Sequence, residues 1–379
     1  MMKNTKHRTW AEIDLDALEN NYRAIRSRLR HGCMLLATAK ADCYGHGAAR
    51  CAEVLQRLGA DFFSAATFDE ALHLRENGII KPILILGYTD PENAGELAEM
   101  DVRQAVFSGG YARALAESLG NKKLKIHIKL DTGMGRLGFD PGNDKALREI
   151  AEICKMPCFE PEGIFTHFSV ADEPGQAEYT MSQFKRYQRA VHILEEELGV
   201  KFSILHCANS AAMVNYPETQ LDMVRAGISL YGVYPDGAEE GELGLKPVMT
   251  LRCRIAQVQD AREEKSVSYG RTKTVPAGTR LAVMTCGYAD GLHRCASNKF
   301  SVKVRGKLVP NVGRVCMDMS MLDVTGVDVH PGDVVTIFGG SGEDHISIEQ
   351  LAKASGTVSY ELLCSVSKRI PRIYIGGKS

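Results

Sequence analysis

A lysine stands directly after an apolar segment with the composition of a β-strand. The segment Met34–Ala39 is followed by Lys40, and the chain continues through Gly47 with the residues KADCYGHG. Burial and neighbouring cations lower the pKa of a lysine and leave a free amine, which forms Schiff bases with carbonyl compounds. The sequence therefore predicts a nucleophilic amine at Lys40. The alternative interpretation is a surface lysine at a strand end.

Two later segments carry groups that bind anions. Ser210 offers a hydroxyl at the start of a predicted helix, and Gly227 lets the backbone of Ile228 approach a ligand closely. Each segment alone is also compatible with an ordinary helix cap or turn. A strand-end lysine combined with two phosphate-binding loops is typical of pyridoxal phosphate sites, because that cofactor needs both.

A glycine-rich segment follows another predicted strand. Residues 129–139 read KLDTGMGRLGF, and their three glycines spell GxGxxG. The dinucleotide-binding motif also requires a helix to begin there, and the Asp-Pro-Gly at 140–142 prevents one. We therefore expect a tight loop that places Arg136 at the strand end. His167 ends the next predicted strand and is expected to have a supporting, hydrogen-bonding role.

These residues fall at the ends of short apolar runs that alternate with helical segments, such as 48–58, 68–76 and 182–198, between residues 34 and 230. This alternation predicts an α/β fold with an eight-stranded βα (TIM-like) barrel, whose active site lies at the C-terminal ends of the strands. The predicted strands are Met34–Ala39, Phe62–Thr67, Ile83–Gly87, Gln104–Phe107, Lys125–Leu130, Gly163–His167, Ile204–Ala208 and Met223–Gly227.

After about residue 240 the hydrophobic period changes to two, which indicates a second, mainly antiparallel β domain. One helix is expected to interrupt it, beginning after Ser347 with Gln350 at the spacing of a capping box. The predicted strands begin around Met249 and continue at Leu281–Thr285, Phe300–Val304, Val315–Val324 and Val334–Phe338.

Composition excludes several classes of protein. The 379 residues carry 46 lysines and arginines against 47 aspartates and glutamates, with a formal charge of −1 and no block of like charge. Nothing in this balance indicates a nucleic-acid or membrane-surface partner. Met1–Trp10 is polar and basic, without an apolar segment after it, so a soluble protein without a targeting or transmembrane segment is expected. The eleven scattered cysteines contain no CxxC pair, which favours reduced thiols and no metal site.

Nine segments, in order, resemble those of the alanine racemases, which are barrel-type pyridoxal phosphate enzymes. The resemblance extends from Trp10 to Tyr374. It implies a cofactor-binding barrel over residues 11–240 and a β domain over 241–379 that also includes 1–10. It further implies a cytoplasmic homodimer with shared active sites that supplies D-alanine for cell-wall peptidoglycan. The segments are AKADCYGHG, KLDTGMGRLGF, THFSVAD, HCANSAA, VRAGISLYG, VSYGRT, GYADG, GRVCMD and RIPRIY.

The resemblance also assigns roles to individual residues. Lys40 is similar to the lysine that holds the cofactor, and Tyr269 to a second base that reaches the cofactor of the other subunit. Arg136 and Met317 match the groups that receive the substrate carboxylate. The positions that match cofactor-binding residues are Tyr44, His167, Ser210, Arg225, Gly227, Ile228 and Tyr360.

Three further positions match supporting residues of the family. Lys129 falls where many members carry a carbamylated lysine, and Asp318 lies in GRVCMD. Tyr288 lies near the substrate entryway, where this chain has Leu292-His293 in place of the more usual Tyr-Pro.

Racemisation removes a proton from one face of Cα and returns one to the other, so two acid/base groups are expected, Lys40 and Tyr269. Arg225 at the pyridine nitrogen cannot supply a proton and is expected to limit charge delocalisation. The alternatives are a racemase that prefers serine or another small amino acid, a pyridoxal phosphate decarboxylase, a non-catalytic carrier and a barrel metallohydrolase. A tight pocket at Tyr360 favours alanine.

Overall fold

The computed structural model describes residues 6–173, 175–235 and 243–377. The chain divides into two compact units. The barrel unit contains Glu19–Cys43 and Ala48–Leu245, and the β unit contains Met1–Leu18, Tyr44–Gly47 and Lys246–Ser379.

The first described strand, β1 (Thr9–Asp14), belongs to the β unit and precedes helix α1 (Leu15–Ser27). β1 pairs antiparallel with Met249–Cys253 and parallel with Arg372–Ile375. This pairing explains why the β unit extends to Leu18, beyond the boundary at residue 10 that the sequence indicated.

The barrel unit contains a sheet of eight parallel strands in the order β8-β7-β6-β5-β4-β3-β2-β9. Two backbone hydrogen bonds join the edge strands, from Asp222 N to Leu205 O and from Arg225 N to Ala208 O, both 3.0 Å long. All eight predicted barrel strands are confirmed. They are β2 (Met34–Thr38), β3 (Phe62–Ala65), β4 (Ile83–Ile85), β5 (Val102–Val106), β6 (Leu124–Lys129), β7 (Phe159–Phe165), β8 (Ile204–His206) and β9 (Met223–Ala226).

These strands are buried on both faces, which explains their nearly continuous apolar composition. Leu36, Phe62 and Leu84 from three of them pack in one buried cluster. The helices that follow are α2 (Lys40–Gly45), α3 (Ala48–Arg57), α4 (Phe68–Glu76), α5 (Ala94–Glu99), α6 (Gly109–Leu119), α7 (Asp144–Cys154), α8 (Ala177–His192) and α9 (Ser210–Asn215). No helix in the described ranges is both long and apolar enough to cross a bilayer.

The β unit is built on a mainly antiparallel sheet, which confirms the predicted fold class. Its path runs β15-β14-β17-β10-β1-β18, and β13 and β16 extend from β10. The strands are β10 (Met249–Asp260), β11 (Lys265–Val267), β12 (Lys273–Val275), β13 (Arg280–Met284), β14 (Ser301–Val304), β15 (Lys307–Pro310), β16 (Ser320–Asp323), β17 (Val334–Phe338) and β18 (Arg372–Ile375).

Three details of the β unit differ from the sequence predictions. Two helices are present rather than one, α10 (Ile348–Ser355) and α11 (Ser359–Ser365). Ser347 is the N-cap of α10, but its side chain makes no capping hydrogen bond, so the predicted capping box is wrong. The strand predicted from Val315 begins only at Ser320, because the preceding residues turn back on themselves through a Cys316 N to Met319 O hydrogen bond.

Candidate active site

Lys40 opens a turn of left-handed helix. The four residues Ala41–Tyr44 have φ between 51° and 55°, and Gly45 follows at 80°. A left-handed backbone costs L-residues about 1–2 kcal/mol each, so the surrounding structure must hold such a turn in place. Backbone strain of this kind concentrates at functional sites.

Two carboxylates hold this turn. Glu70, on α4, accepts hydrogen bonds from the backbone N–H of Ala41 through Oε1 and of Ala66 through Oε2, each at 2.7 Å. Asp42 accepts one from the N–H of Ala48 at 2.6 Å. Glu70 therefore fixes the chain on the C-terminal side of both β2 and β3, next to Lys40.

Arg225 is buried at the end of β9. Its Nη2 donates to the carbonyl oxygens of Thr166 and Cys207, at 2.8 and 3.0 Å, and to Nδ1 of His167 at 3.2 Å. Burial lowers the pKa of Arg225 to about 10, so the guanidinium keeps its charge at neutral pH. A cation is therefore held rigidly at the ends of the last barrel strands.

His167 is a buried imidazole that Arg225 contacts, with Nη2 3.2 Å from Nδ1. Burial holds the pKa of His167 well below its usual value, and the positive charges of Arg225, Lys129, Arg136 and Lys40 lower it further. The imidazole is therefore neutral near pH 7.

Lys129 is the buried amine of the site. Its Nζ donates to the carbonyl oxygen of Leu130 at 2.8 Å and lies 5.2 Å from the centre of the Phe165 ring. Burial, and then the charge of Arg225, lower the pKa of Lys129 to about 7. A large fraction of this side chain is therefore an uncharged, nucleophilic amine at neutral pH.

The glycine-rich segment after β6 forms a loop, as predicted, and the next helix begins only at Asp144. Asp131 binds this loop through four backbone amides, three at Oδ1 and that of Arg136 at Oδ2, between 2.8 and 3.1 Å. Gly138 has φ 134°, and a Cβ there would lie 2.4 Å from the Asp131 nitrogen. The glycine is therefore required for the fold of the loop.

The two predicted anion-binding segments are in contact. Ser210 begins α9, and its hydroxyl accepts a hydrogen bond from the backbone N–H of Gly227 at 2.8 Å, which leaves the hydroxyl proton free to donate. Ile228 begins a short 3₁₀ helix after Gly227. The hydroxyl of Ser229 is buried and has no hydrogen-bond partner among the described residues. These donors fit the oxygens of a phosphate group.

In the β unit, the segments around Tyr269, Tyr288 and Met317 lie together. The N–H of Tyr288 bonds to Cys316 O at 2.9 Å, and Ser268 Oγ donates to Arg314 O at 2.7 Å. The aromatic ring of Tyr269 is presented on the surface, because the side chain is 67% exposed. Tyr44 and Tyr360 also belong to this unit, where their ring centres lie 6.0 Å apart.

Asp318 takes part in a network around a fully buried carboxylate, Asp290. Asp290 Oδ1 pairs with Arg8 at 3.1 Å and Arg369 at 2.8 Å, and Oδ2 accepts from the N–H of Gly287 at 2.9 Å. Arg369 also pairs with Asp318 at 2.8 Å. The network fixes the loop that carries Tyr288.

Sequence reasoning missed several residues that hold the site. Glu70 gave no signal, because a glutamate in the first turn of a helix is ordinary. Asp131, His206 and Asp290 lay inside segments that resembled the family, and each is a polar residue within four positions of an assigned one. That proximity in sequence was the available signal.

A barrel with a lysine held at the end of one strand, a buried arginine and an anion-binding pair of loops defines a barrel-type cofactor enzyme. Family models agree with both parts of the chain. The model of the alanine racemase N-terminal domain matches residues 13–235, and that of the alanine racemase C-terminal domain matches 248–374.

Similar proteins are found over the full length. An alanine racemase of Desulforamulus reducens is 43% identical over 376 residues, which cover 98% of this chain and 100% of that protein. An alanine racemase structure from Clostridium difficile is 38% identical with a TM-score of 0.91, covering 98% and 97% of the two chains. A Bacillus anthracis alanine racemase with bound L-Ala-P is 34% identical, with a TM-score of 0.92 and 99% and 96% coverage.

This chain belongs to the alanine racemase family. Members of the family depend on pyridoxal phosphate. The residues present fit that cofactor, because the Ser210 hydroxyl, which accepts from Gly227 and can still donate, and the buried, unpartnered hydroxyl of Ser229 offer donors for a phosphate.

Proposed function

We propose that this protein interconverts L-alanine and D-alanine with pyridoxal phosphate. The single observation that carries the proposal is the buried Arg225, held at the end of β9 by Thr166, Cys207 and His167, in a chain with full-length relatives named alanine racemase. Bound pyridoxal phosphate supplies an electron-withdrawing ring that makes the Cα–H of an attached amino acid acidic.

Lys40 is the attachment point of the cofactor and the base on one face of Cα. The left-handed turn and its anchor Glu70 support this role, because they restrict where the amine can be. Arg225 has only donors, so it holds the pyridine nitrogen as an acceptor without giving it a proton. Ser210, Gly227, Ile228, Tyr44 and Tyr360 bind the phosphate.

Tyr269 is the base on the opposite face, and it acts in the site of a second copy of this chain. Its exposure supports this proposal, since a base that serves another subunit must be presented on the surface. Of the six other large apolar side chains that are exposed in the described part of the β unit, three lie in the segments next to Tyr269, as expected of a surface that a partner covers. They are Tyr288, Met317 and Met319.

Arg136 and Met317 receive the carboxylate of the substrate. A guanidinium binds a carboxylate through two parallel hydrogen bonds, and Asp131 presets the backbone of Arg136 for that contact. Lys129 becomes carbamylated, with its carbamate oriented against Arg136. Tyr288 and Asp318 support the entryway. We propose a cytoplasmic homodimer that supplies D-alanine for peptidoglycan.

The test is incubation of the purified protein, with pyridoxal phosphate, on L-alanine, L-serine, L-lysine and L-arginine in separate reactions, followed by chiral chromatography. D-alanine is the expected main product. D-serine in excess of D-alanine would move the assignment to a serine racemase, and amines from lysine or arginine would indicate a decarboxylase. Cofactor binding without any product would indicate a carrier protein.

A further inference from the structure

A continuous chain of hydrogen bonds crosses the inside of the barrel from Arg225 to Glu162. We call these four residues, Arg225, His206, His127 and Glu162, the relay. Arg225 Nη1 lies 3.1 Å from Nδ1 of His206, and Nε2 of His206 lies 2.9 Å from Nδ1 of His127. Nε2 of His127 then lies 3.0 Å from Oε2 of Glu162. Both imidazoles are completely buried.

The two ends of the relay, Arg225 and Glu162, impose the same direction on every bond. A guanidinium has donors and no acceptor, so Nδ1 of His206 must accept. The proton of His206 is then on Nε2, where it donates to His127. Nδ1 of His127 therefore accepts, and the proton of His127 on Nε2 donates to the carboxylate of Glu162.

One consequence is that His127 is a neutral imidazole although it touches a carboxylate. An imidazolium would carry a proton on Nδ1, which would point at the N–H of His206. Burial agrees with this assignment, because it lowers the pKa of His127 and holds that of His206 well below its usual value. The contact between His127 and Glu162 is therefore a hydrogen bond to a neutral ring rather than an ion pair.

Glu162, at the far end of the relay, carries a permanent negative charge. Glu162 receives two parallel hydrogen bonds from Arg103, at 2.9 and 3.1 Å. Burial alone would raise the pKa of Glu162, but the hydrogen bonds from His127 and Arg103 lower it to about 2. Arg103 is in turn paired with Asp101 at 2.8 Å. The carboxylate at the end of the relay is thus charged and fixed.

We propose that Glu162 is a remote positioning residue for Arg225, acting through two neutral histidines that it keeps in the Nε2–H form. This inference rests on the proposed function, in which Arg225 faces the cofactor. The carboxylate of Glu162 can only accept a hydrogen bond, so it holds the proton of each histidine on Nε2. Nδ1 of His206 therefore stays an acceptor that faces Arg225 Nη1. Reversal of the relay would place N–H against N–H inside the barrel, and Arg225 would lose a buried partner.

The first test is ¹⁵N–¹H correlation spectroscopy of the cofactor-free protein labelled at histidine, near neutral pH. The coupling pattern distinguishes an Nε2–H ring from an Nδ1–H ring and from an imidazolium. Variants at each position identify the signals. The expected result is Nε2–H at both His127 and His206. An imidazolium at His127, or Nδ1–H at His206, would overturn the proposal.

The second test compares two changes of one ring. In His127→Gln the amide oxygen accepts from His206 and the amide N–H₂ donates to Glu162, so the direction survives. In His127→Leu neither hydrogen bond can form, so the direction of the relay is lost. His127→Leu should lower kcat for alanine about tenfold and mix the tautomers of His206, whereas His127→Gln should restore both. Equal loss in the two variants would contradict a directional role.

Glu162→Leu and Asp101→Asn separate the relay from the general support of Arg103. Glu162→Leu removes the acceptor of His127 Nε2–H and should mix the His206 tautomers, whereas Asp101→Asn, which loosens Arg103 without touching a histidine, should leave them unchanged. An Asp101→Asn protein with the same spectrum as Glu162→Leu would refute the role of Glu162. The spectra need neither cofactor nor turnover, so an inactive wild-type protein with the expected tautomers would contradict only the proposed function.

Discussion

The carboxylate of Asp131 holds the backbone of Arg136, whose N–H it binds through Oδ2 at 3.0 Å. The other oxygen binds three preceding amides, so a single side chain fixes the whole turn between them. Burial alone would raise the pKa of Asp131, but these four bonds lower it. Their contribution to stability is therefore present above the pKa of an unfolded aspartate, about 3.9, and is lost as the pH falls through the lower folded value.

Asp131→Ala should raise KM for alanine, because Arg136 is proposed to receive the substrate carboxylate. A misplaced positioning group costs roughly 100-fold, and we expect a loss of kcat/KM of that order. Steady-state kinetics in both directions measure it. Asp140→Ala is the matched control, since Asp140 binds Gly142 in the same loop and not Arg136. Equal loss in both variants would contradict the role of Asp131.

Glu70→Gln should loosen the left-handed turn behind Lys40. A glutamine is neutral and retains one acceptor oxygen, so one of the two backbone amides loses its acceptor and the other keeps an uncharged one, at a cost of about 1.5–3 kcal/mol. We expect a lower free energy of unfolding by chemical denaturation and weaker binding of pyridoxal phosphate. Asp69→Asn, one residue away on the same helix, is the control. If Glu70→Gln bound pyridoxal phosphate as tightly as the wild type, the left-handed turn would not depend on Glu70.

Asp290→Asn should destabilise the protein far more than Asp318→Asn, although both pair with Arg369. Asp290 is fully buried, and its replacement leaves the groups that donate to it, Arg8, Arg369 and the N–H of Gly287, without a charged acceptor. The side chain of Asp318, in contrast, is 48% exposed. Because the arginines remain partly exposed, we expect about 1–3 kcal/mol for Asp290 and less than about 1 kcal/mol for Asp318. Urea unfolding measures both. Similar values would contradict the ranking.

Lys129 should react with carbon dioxide, its amine forming a C–N bond and releasing one proton. Its pKa of about 7 leaves the amine uncharged at pH 8 and protonated well below pH 7. ¹³C NMR in labelled bicarbonate should show a carbamate signal at pH 8 that fades on acidification and is absent from Lys129→Gln. Lys125→Gln, on the same strand, should retain it. A signal that persists in Lys129→Gln would place the carbamate elsewhere.

The barrel was predictable because its strands are continuous apolar runs at regular intervals. The left-handed turn at Ala41–Tyr44 was not, since four consecutive residues other than glycine normally avoid that conformation and give no sequence signal. Strand β1 was also missed, because it stands outside the βα alternation and pairs with β10 and β18, hundreds of residues away in sequence.

The candidate site residues could be named from the sequence where they lay in recognisable segments, and their individual roles stay predictions. The relay was not predictable. His127, Glu162 and His206 come from three different strands, and only the structure shows that all three side chains meet inside the barrel. The sequence of a strand shows where each residue lies along it. It does not show which side chain of another strand that residue contacts inside the barrel.

The central claim is that two bases, Lys40 and Tyr269, act on opposite faces of Cα. The most direct test measures the exchange of the α-proton with deuterated solvent, starting from each enantiomer of alanine, in the wild type and in Tyr269→Phe. The variant is expected to exchange the proton of one enantiomer still and nearly to lose exchange of the other. An equal, small loss from both enantiomers would contradict the assignment of Tyr269 as the second base.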